Sequence, residues 1–130
     1  MNWTPNRPAS DDDIAKLMHS IKVELPEVYL DLLRRYNGGE GEIALPPVWL
    51  QLWSIDEVIE NNGLDLFMGE FQDYLFFASN GGMESIAMRK SPSGTMEIIM
   101  LDMIAGLSSV EVISDDFVMF EKAIGHIYKA

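Results

Sequence analysis

Tyr74-Leu75-Phe76-Phe77-Ala78, Ser79-Asn80-Gly81-Gly82, Met83-Glu84-Ser85-Ile86-Ala87-Met88, Arg89-Lys90-Ser91-Pro92-Ser93-Gly94 and Thr95-Met96-Glu97-Ile98-Ile99-Met100-Leu101 follow one another without a break. Three apolar runs of strand length alternate here with two stretches of turn chemistry, the pattern of an antiparallel meander. Asn80-Gly81 supplies residues that tolerate positive φ, as a tight hairpin loop requires. Tyr74 to Ala78 is apolar at every position, which predicts a central strand covered on both faces. The next run alternates, so that Ile86 and Met88 face a core while Ser85 and Arg89 face away. This residue chemistry leads to a compact α+β domain. It shows no reaction.

Working outward, the flanking segments are helical. Met1 to Ala9 is expected to be a loose arm on a single domain spanning residues 1–130. Ser10 offers an N-cap, and Asp11-Asp12-Asp13 fills a first helical turn, where the helix dipole favours acids. Ile14, Leu17, Met18 and Ile21 follow as an amphipathic stripe. Leu25-Pro26 opens a second helix with Val28, Tyr29, Leu32, Leu33 and Tyr36 on its buried side. Arg34-Arg35 complements its C-terminus, and Asn37-Gly38-Gly39 stops it. Glu42 to Leu45 is a short strand candidate, and Val48 to Trp53 is another, with Trp49, Gln51 and Trp53 on one side. Ser54-Ile55-Asp56-Glu57 has the form of a capping box. Leu64 to Gln72 is expected to be a loop with a helical turn. Val110 to Ile113 makes a further strand. Ser114-Asp115-Asp116 caps a last helix whose stripe is Phe117, Phe120, Ala123, Ile124 and Ile127.

Charge is the strongest compositional signal. Nine Lys and Arg against 21 Asp and Glu give a formal net charge of −12. From Tyr36 to Met88 there is no lysine or arginine, while Glu40, Glu42, Asp56, Glu57, Glu60, Asp65, Glu70, Asp73 and Glu84 fall within it. Such a surface repels nucleic acid and anionic lipid and attracts basic proteins. The same charge would also serve simply to keep a protein soluble. Trp49 and Trp53 are either core or, beside this polar rim, anchors of an interface. The carboxylates and the two tryptophans are therefore the candidate partner-binding residues.

Chemistry of other kinds finds no support. The chain has no cysteine, which removes disulfide and zinc-thiolate frameworks. His19 and His126 have no second histidine at ligand spacing, so no metal site is expected. The three consecutive aspartates diverge around a helix axis and cannot converge on one ion. No serine is flanked as in a nucleophile elbow. Gly38-Gly39-Glu40-Gly41 lacks the lysine and hydroxyl of a phosphate loop and is expected to be a turn. No cofactor and no catalytic residue is predicted. The first ten residues do not form a signal peptide, and no apolar run approaches the ~20 residues of a membrane span. A cytoplasmic protein is expected.

The order of these features resembles the SUKH superfamily, known from a yeast cell-wall assembly regulator and many bacterial relatives. The resemblance rests on Leu25-Pro26, Tyr36-Asn37-Gly38-Gly39, the tryptophan-containing strand, the capped helix at Ser54, Phe76-Phe77-Ala78-Ser79-Asn80-Gly81-Gly82, and the closing Ser114 to Ile124 segment with Phe117 and Phe120. It implies a curved, mostly antiparallel sheet of about five or six strands, flanked by N-terminal, middle and C-terminal helices. It also implies a bacterial immunity protein that binds and neutralises a cognate toxin, with a basic nuclease-type domain as partner. The alternative it carries is a regulatory or scaffold domain with a non-toxin partner. Neither is an enzyme, and no catalytic residues come with the family.

Overall fold

The computed structural model of the chain describes residues 2–63 and 71–129. Within them the chain is α+β, with one curved antiparallel sheet of seven strands in sequence order. The strands are β1 (Trp3–Pro5), β2 (Gly39–Glu42), β3 (Trp49–Leu52), β4 (Leu75–Ser79), β5 (Glu84–Lys90), β6 (Met96–Asp102) and β7 (Glu111–Ser114). The helices are α1 (Asp11–Ser20), α2 (Glu27–Arg35), α3 (Ile55–Asn62) and α4 (Phe117–Ala123). The apolar run at 74–78 does become the middle strand, and Leu75, Phe76, Phe77 and Ala78 are all buried. Its Asn80-Gly81 turn closes as expected, with Gly81 at φ +83° and the Asn80 Oδ1 accepting from the amides of Gly82 and Glu84.

Phe77 meets the helical layer. Its ring lies 5.6 Å from Tyr29 of α2 and 5.5 Å from Phe120 of α4, and Tyr29 lies 5.6 Å from Phe117. These edge-on and tilted aromatic contacts tie β4 to both helices. Phe76 is held by Asn62 at the end of α3, whose side-chain amide accepts from the Phe76 N–H at 3.0 Å and donates to its carbonyl at 2.7 Å. The β4–β5 register shifts between Phe76 and Ala78, so that Phe77 is the extra residue of a bulge.

Local caps form where their residues predict them. Ser10 Oγ accepts from Asp13 N and Asp13 returns a bond to Ser10 N, so the first helix carries a full capping box. Ser54 and Glu57 do the same for α3. Asp116 caps α4 through Met119 N at 2.8 Å.

Five expectations need correction. Ser85, expected to face away from the core, is buried. The sheet has seven strands, not five or six. The residues expected as a loose arm contain β1, which pairs with β2 through Trp3↔Gly41 and Pro5↔Gly39. The segment expected as a turn, Gly38 to Gly41, is mostly β2 itself, three residues ahead of the expected strand at 42–45. Glycine there is a matter of space: a Cβ on Gly39 would stand 3.0 Å from the Trp3 ring, and one on Gly41 2.9 Å from it. Lastly, α4 ends at Ala123 because Ile124 turns extended and bridges Ile43, leaving Ile127 exposed outside the predicted stripe. The expected loop at 64–72 lies mostly outside the described residues.

Candidate functional site

Registered pairs in an antiparallel sheet project their side chains to one face. Thr4↔Glu40, Glu40↔Gln51, Gln51↔Ser79 and Ser79↔Ser85 therefore lay a polar row across five strands. Two residues along, Glu42 stands opposite Trp49 on the same face. The other face of β3 carries the buried Leu50 and Leu52. The alternation aims Trp49 outward, where it is 42 % exposed, but β3 ends at Leu52, so Trp53, expected on the same side as Trp49, leaves the strand and is buried in the core at 9 %. The two tryptophans part company: Trp49 remains a surface aromatic, and Trp53 is a core residue whose amide donates to the Phe77 carbonyl at 3.0 Å.

Where the polar row meets the start of α3 there is a shallow recess of about 260 Å³, lined by Thr4, Asn6, Glu40, Gln51, Trp53 and Glu57 among others. The capping box sets its far wall, because Ser54 Oγ and the Glu57 carboxylate lock the first turn of α3. Asn37 Oδ1 adds a bond from Ile55 N at 2.7 Å, fastening that helix start to the end of α2. Glu40 has one weak contact, from Gln51 Nε2 at 3.4 Å, and Glu42 accepts from the Asn2 side chain. Among the described residues, neither of these carboxylates nor Glu57 has an ion-pair partner. Three uncompensated acids beside an exposed tryptophan and a recess can accept cationic side chains.

The remaining acids do not join this group. Asp56 is paired with Lys16 of α1 at 2.9 Å, and both are well exposed. Glu60 continues the exposed side of α3 one turn beyond Glu57. Asp73 borders a different cleft, beside Lys22, Arg89 and Lys90. Arg89 there is bound to Glu97 at 2.7 Å and to the Tyr74 hydroxyl at 2.9 Å. Glu84 sits at the start of β5 opposite Asp102. Asp65 and Glu70 lie outside the described residues. Sequence reasoning missed Thr4, Asn6 and Gln51. The Gly-x-Gly alternation at Gly39 and Gly41 was the signal that another segment must lie against β2.

The SMI1 / KNR4 family (SUKH-1) matches residues 8–122. The chain belongs to this family. The SUKH-1 match leaves out β1 and the segment after Lys122, both of which are stitched to Glu42 and Ile43 through Asn2, Gly125 and Ile124. The family is known for toxin immunity and related roles, and its members generally bind protein partners. No curated protein matches the chain. Among the described residues of this SUKH-1 chain, no helix is long and apolar enough to cross a membrane.

Proposed function

We propose that this SUKH-1 chain is an inhibitory binding protein of the immunity type, acting in the cytoplasm by covering the basic groove of a nuclease-type toxin. The observation that carries the reading is that Glu40 and Glu57 line one recess, with Glu42 two residues along β2 opposite the exposed Trp49, and that none of the three is ion-paired among the described residues. A nuclease needs cationic side chains to hold phosphates. Carboxylates compete for those cations, and their field speeds encounter. One lysine or arginine of the toxin would enter the recess between Glu40 and Glu57, while Trp49 supplies buried apolar area at the centre of the contact. The partner is sequestered, and no bond is made or broken.

The test uses the basic toxin domain encoded beside this chain's own gene. Stopped-flow association should slow by about tenfold or more on raising salt from about 50 to 300 mM, and Glu40→Gln with Glu57→Gln should slow it further. Glutamine at 57 preserves the capping box, so the fold is unaffected. Binding indifferent to both salt and the double variant would refute the electrostatic contact. A toxin that neither binds nor loses nuclease activity would leave the regulatory or scaffold reading in its place.

A further inference from the structure

The connection between β6 and β7 is braced from within. Asp102 Oδ1 accepts from the amides of Ile104 at 2.8 Å and Ala105 at 3.2 Å. Ser109 Oγ accepts from Asp102 N at 2.9 Å and donates to the Gly106 carbonyl at 2.8 Å, and Ser108 Oγ donates to the Ala105 carbonyl at 3.0 Å. The polar groups of this loop are thus satisfied by one another. Met103 and Val110 at its ends pack against the core, while Ile104 and Leu107 are turned outward, Ile104 at 81 % exposed and Leu107 at 43 %. Val112 on the adjoining β7 is 45 % exposed. A single exposed aliphatic residue needs no explanation, but three of them on one edge of the sheet, two in a loop held rigid, form a preorganised contact.

The edge itself is open. β7 ends the sheet, and among the described residues no strand pairs with its outer side. The opposite edge is closed off by contrast: β1 holds Pro5, which has no N–H to donate, and Asn2 is tied to Gly125 and Glu42. Charge selects the occupant. From Ser91 to Glu121 the chain has no lysine, arginine or histidine; Glu97 and Glu121 there are paired with Arg89 and Arg35, but Glu111 on β7 and Asp115 and Asp116 just after it have no ion-pair partner among the described residues. A second copy, bearing the same −12, would be repelled.

We infer that β7 and the 103–110 loop form a second docking edge, which takes an extended segment of another protein with alternating apolar residues and basic ends. The segment adds to the sheet as a further strand, its backbone pairing with β7 and its apolar side chains resting on Ile104, Leu107 and Val112. This surface is separate from the acidic recess, and the inference does not depend on the identity of any toxin.

The probe is a blocked synthetic peptide of alternating valine and threonine with two lysines at each end, titrated into the isotope-labelled full chain and followed by amide NMR. The largest shifts are expected at Glu111 to Ser114, Ile104 and Leu107. The double variant Ile104→Asp, Leu107→Asp should bind at least tenfold more weakly with unchanged thermal unfolding. Because it adds negative charge, that loss cannot be electrostatic. The same peptide with glutamate ends should bind at least tenfold more weakly than the lysine form. Shifts confined to the recess around Glu40 and Glu57, shifts along β1, binding unchanged in the double variant, a peptide that drives two copies of the chain together, or no shift at millimolar peptide would each overturn the inference.

Discussion

Replacing Gly41 by alanine tests how β1 is held. A Cβ at this position would stand 2.3 Å from the Asn2 carbonyl oxygen and 2.8 Å from Trp3 Cα. The first distance is about 1 Å inside ordinary contact, and both neighbours are backbone, so no side chain can swing away. β2 is hydrogen-bonded to β3 on its other side, whereas β1 is a three-residue edge strand. It is therefore β1 that moves. A 1 Å displacement breaks the bonds from Glu42 N to the Asn2 carbonyl, now 2.9 Å, and from Asn2 N to the Gly125 carbonyl, now 3.0 Å. Two such bonds are worth about 1 kcal/mol each. Lifting the half-buried Trp3 ring from its place beside Tyr36 costs a further 1 to 2 kcal/mol or so. Part of this is offset by freed chain entropy, so the net loss expected is about 2–3 kcal/mol, or roughly 8–12 °C in Tm. Hydrogen exchange should localise it: the amides of Glu42, Asn6 and Asn37, which depend on the N-terminal segment, lose protection, and that of Trp53 does not. In a chain lacking residues 2–8 the clash with β1 is gone and only the strain of a side chain at φ +159° remains, so the same substitution should cost clearly less than in the full chain. Equal cost in both backgrounds would refute the account and put the damage inside β2.

Tyr29 is fully buried, and its hydroxyl finds no partner among the described residues. Tyr29→Phe is accordingly expected to be neutral or to stabilise by up to about 1 kcal/mol in urea unfolding; a loss above that would mean the hydroxyl is bonded. Burial also pushes its phenol well above the ordinary tyrosine range. The folded state keeps its proton while the unfolded chain releases it, so stability falls as pH rises above about 10, and Tyr29→Phe should flatten that alkaline limb. Asp13 behaves oppositely. The Ser10 amide, and then the Ser10 hydroxyl, hold its carboxyl below the usual carboxylate range, so its contribution is present at neutral pH and disappears as pH falls below about 4. The Tm difference between the parent chain and Asp13→Asn should close over that acid range, and a difference constant with pH would contradict the assignment. Lys16→Ala removes an ion pair in which both side chains are more than half exposed, and the thermal unfolding midpoint should scarcely change; a clear drop would show the pair to matter more than its exposure allows.

How much of this was legible in the sequence depends on the range of the signal. The caps at Ser10, Ser54 and Asp116, the Asn80-Gly81 turn and the 74–78 strand are all written within a few residues. In each case a side chain satisfies backbone groups three or four positions away, or a run of apolar residues demands cover. β1 had no such local mark. Trp3-Thr4-Pro5 is too short and carries a proline, and only the missing Cβ atoms of Gly39 and Gly41 give it a place. Ile127 failed for a related reason: the periodicity of 117–127 is helical throughout, yet pairing of Ile124 with Ile43 draws the chain out of the helix.

The acids show the same division. Composition alone determined that this chain would be strongly negative, with no base from Tyr36 to Met88, because charge is additive and needs no geometry. Which carboxylates gather was decided by tertiary structure. The β2–β3 register brings Glu40 and Glu42 beside Gln51 and Trp49, and the α3 cap adds Glu57, while Asp56 is paired with Lys16 and Asp73 and Glu84 are carried elsewhere. A sheet face is assembled from residues far apart in sequence, and one step of register would have turned Trp49 inward and Leu50 out.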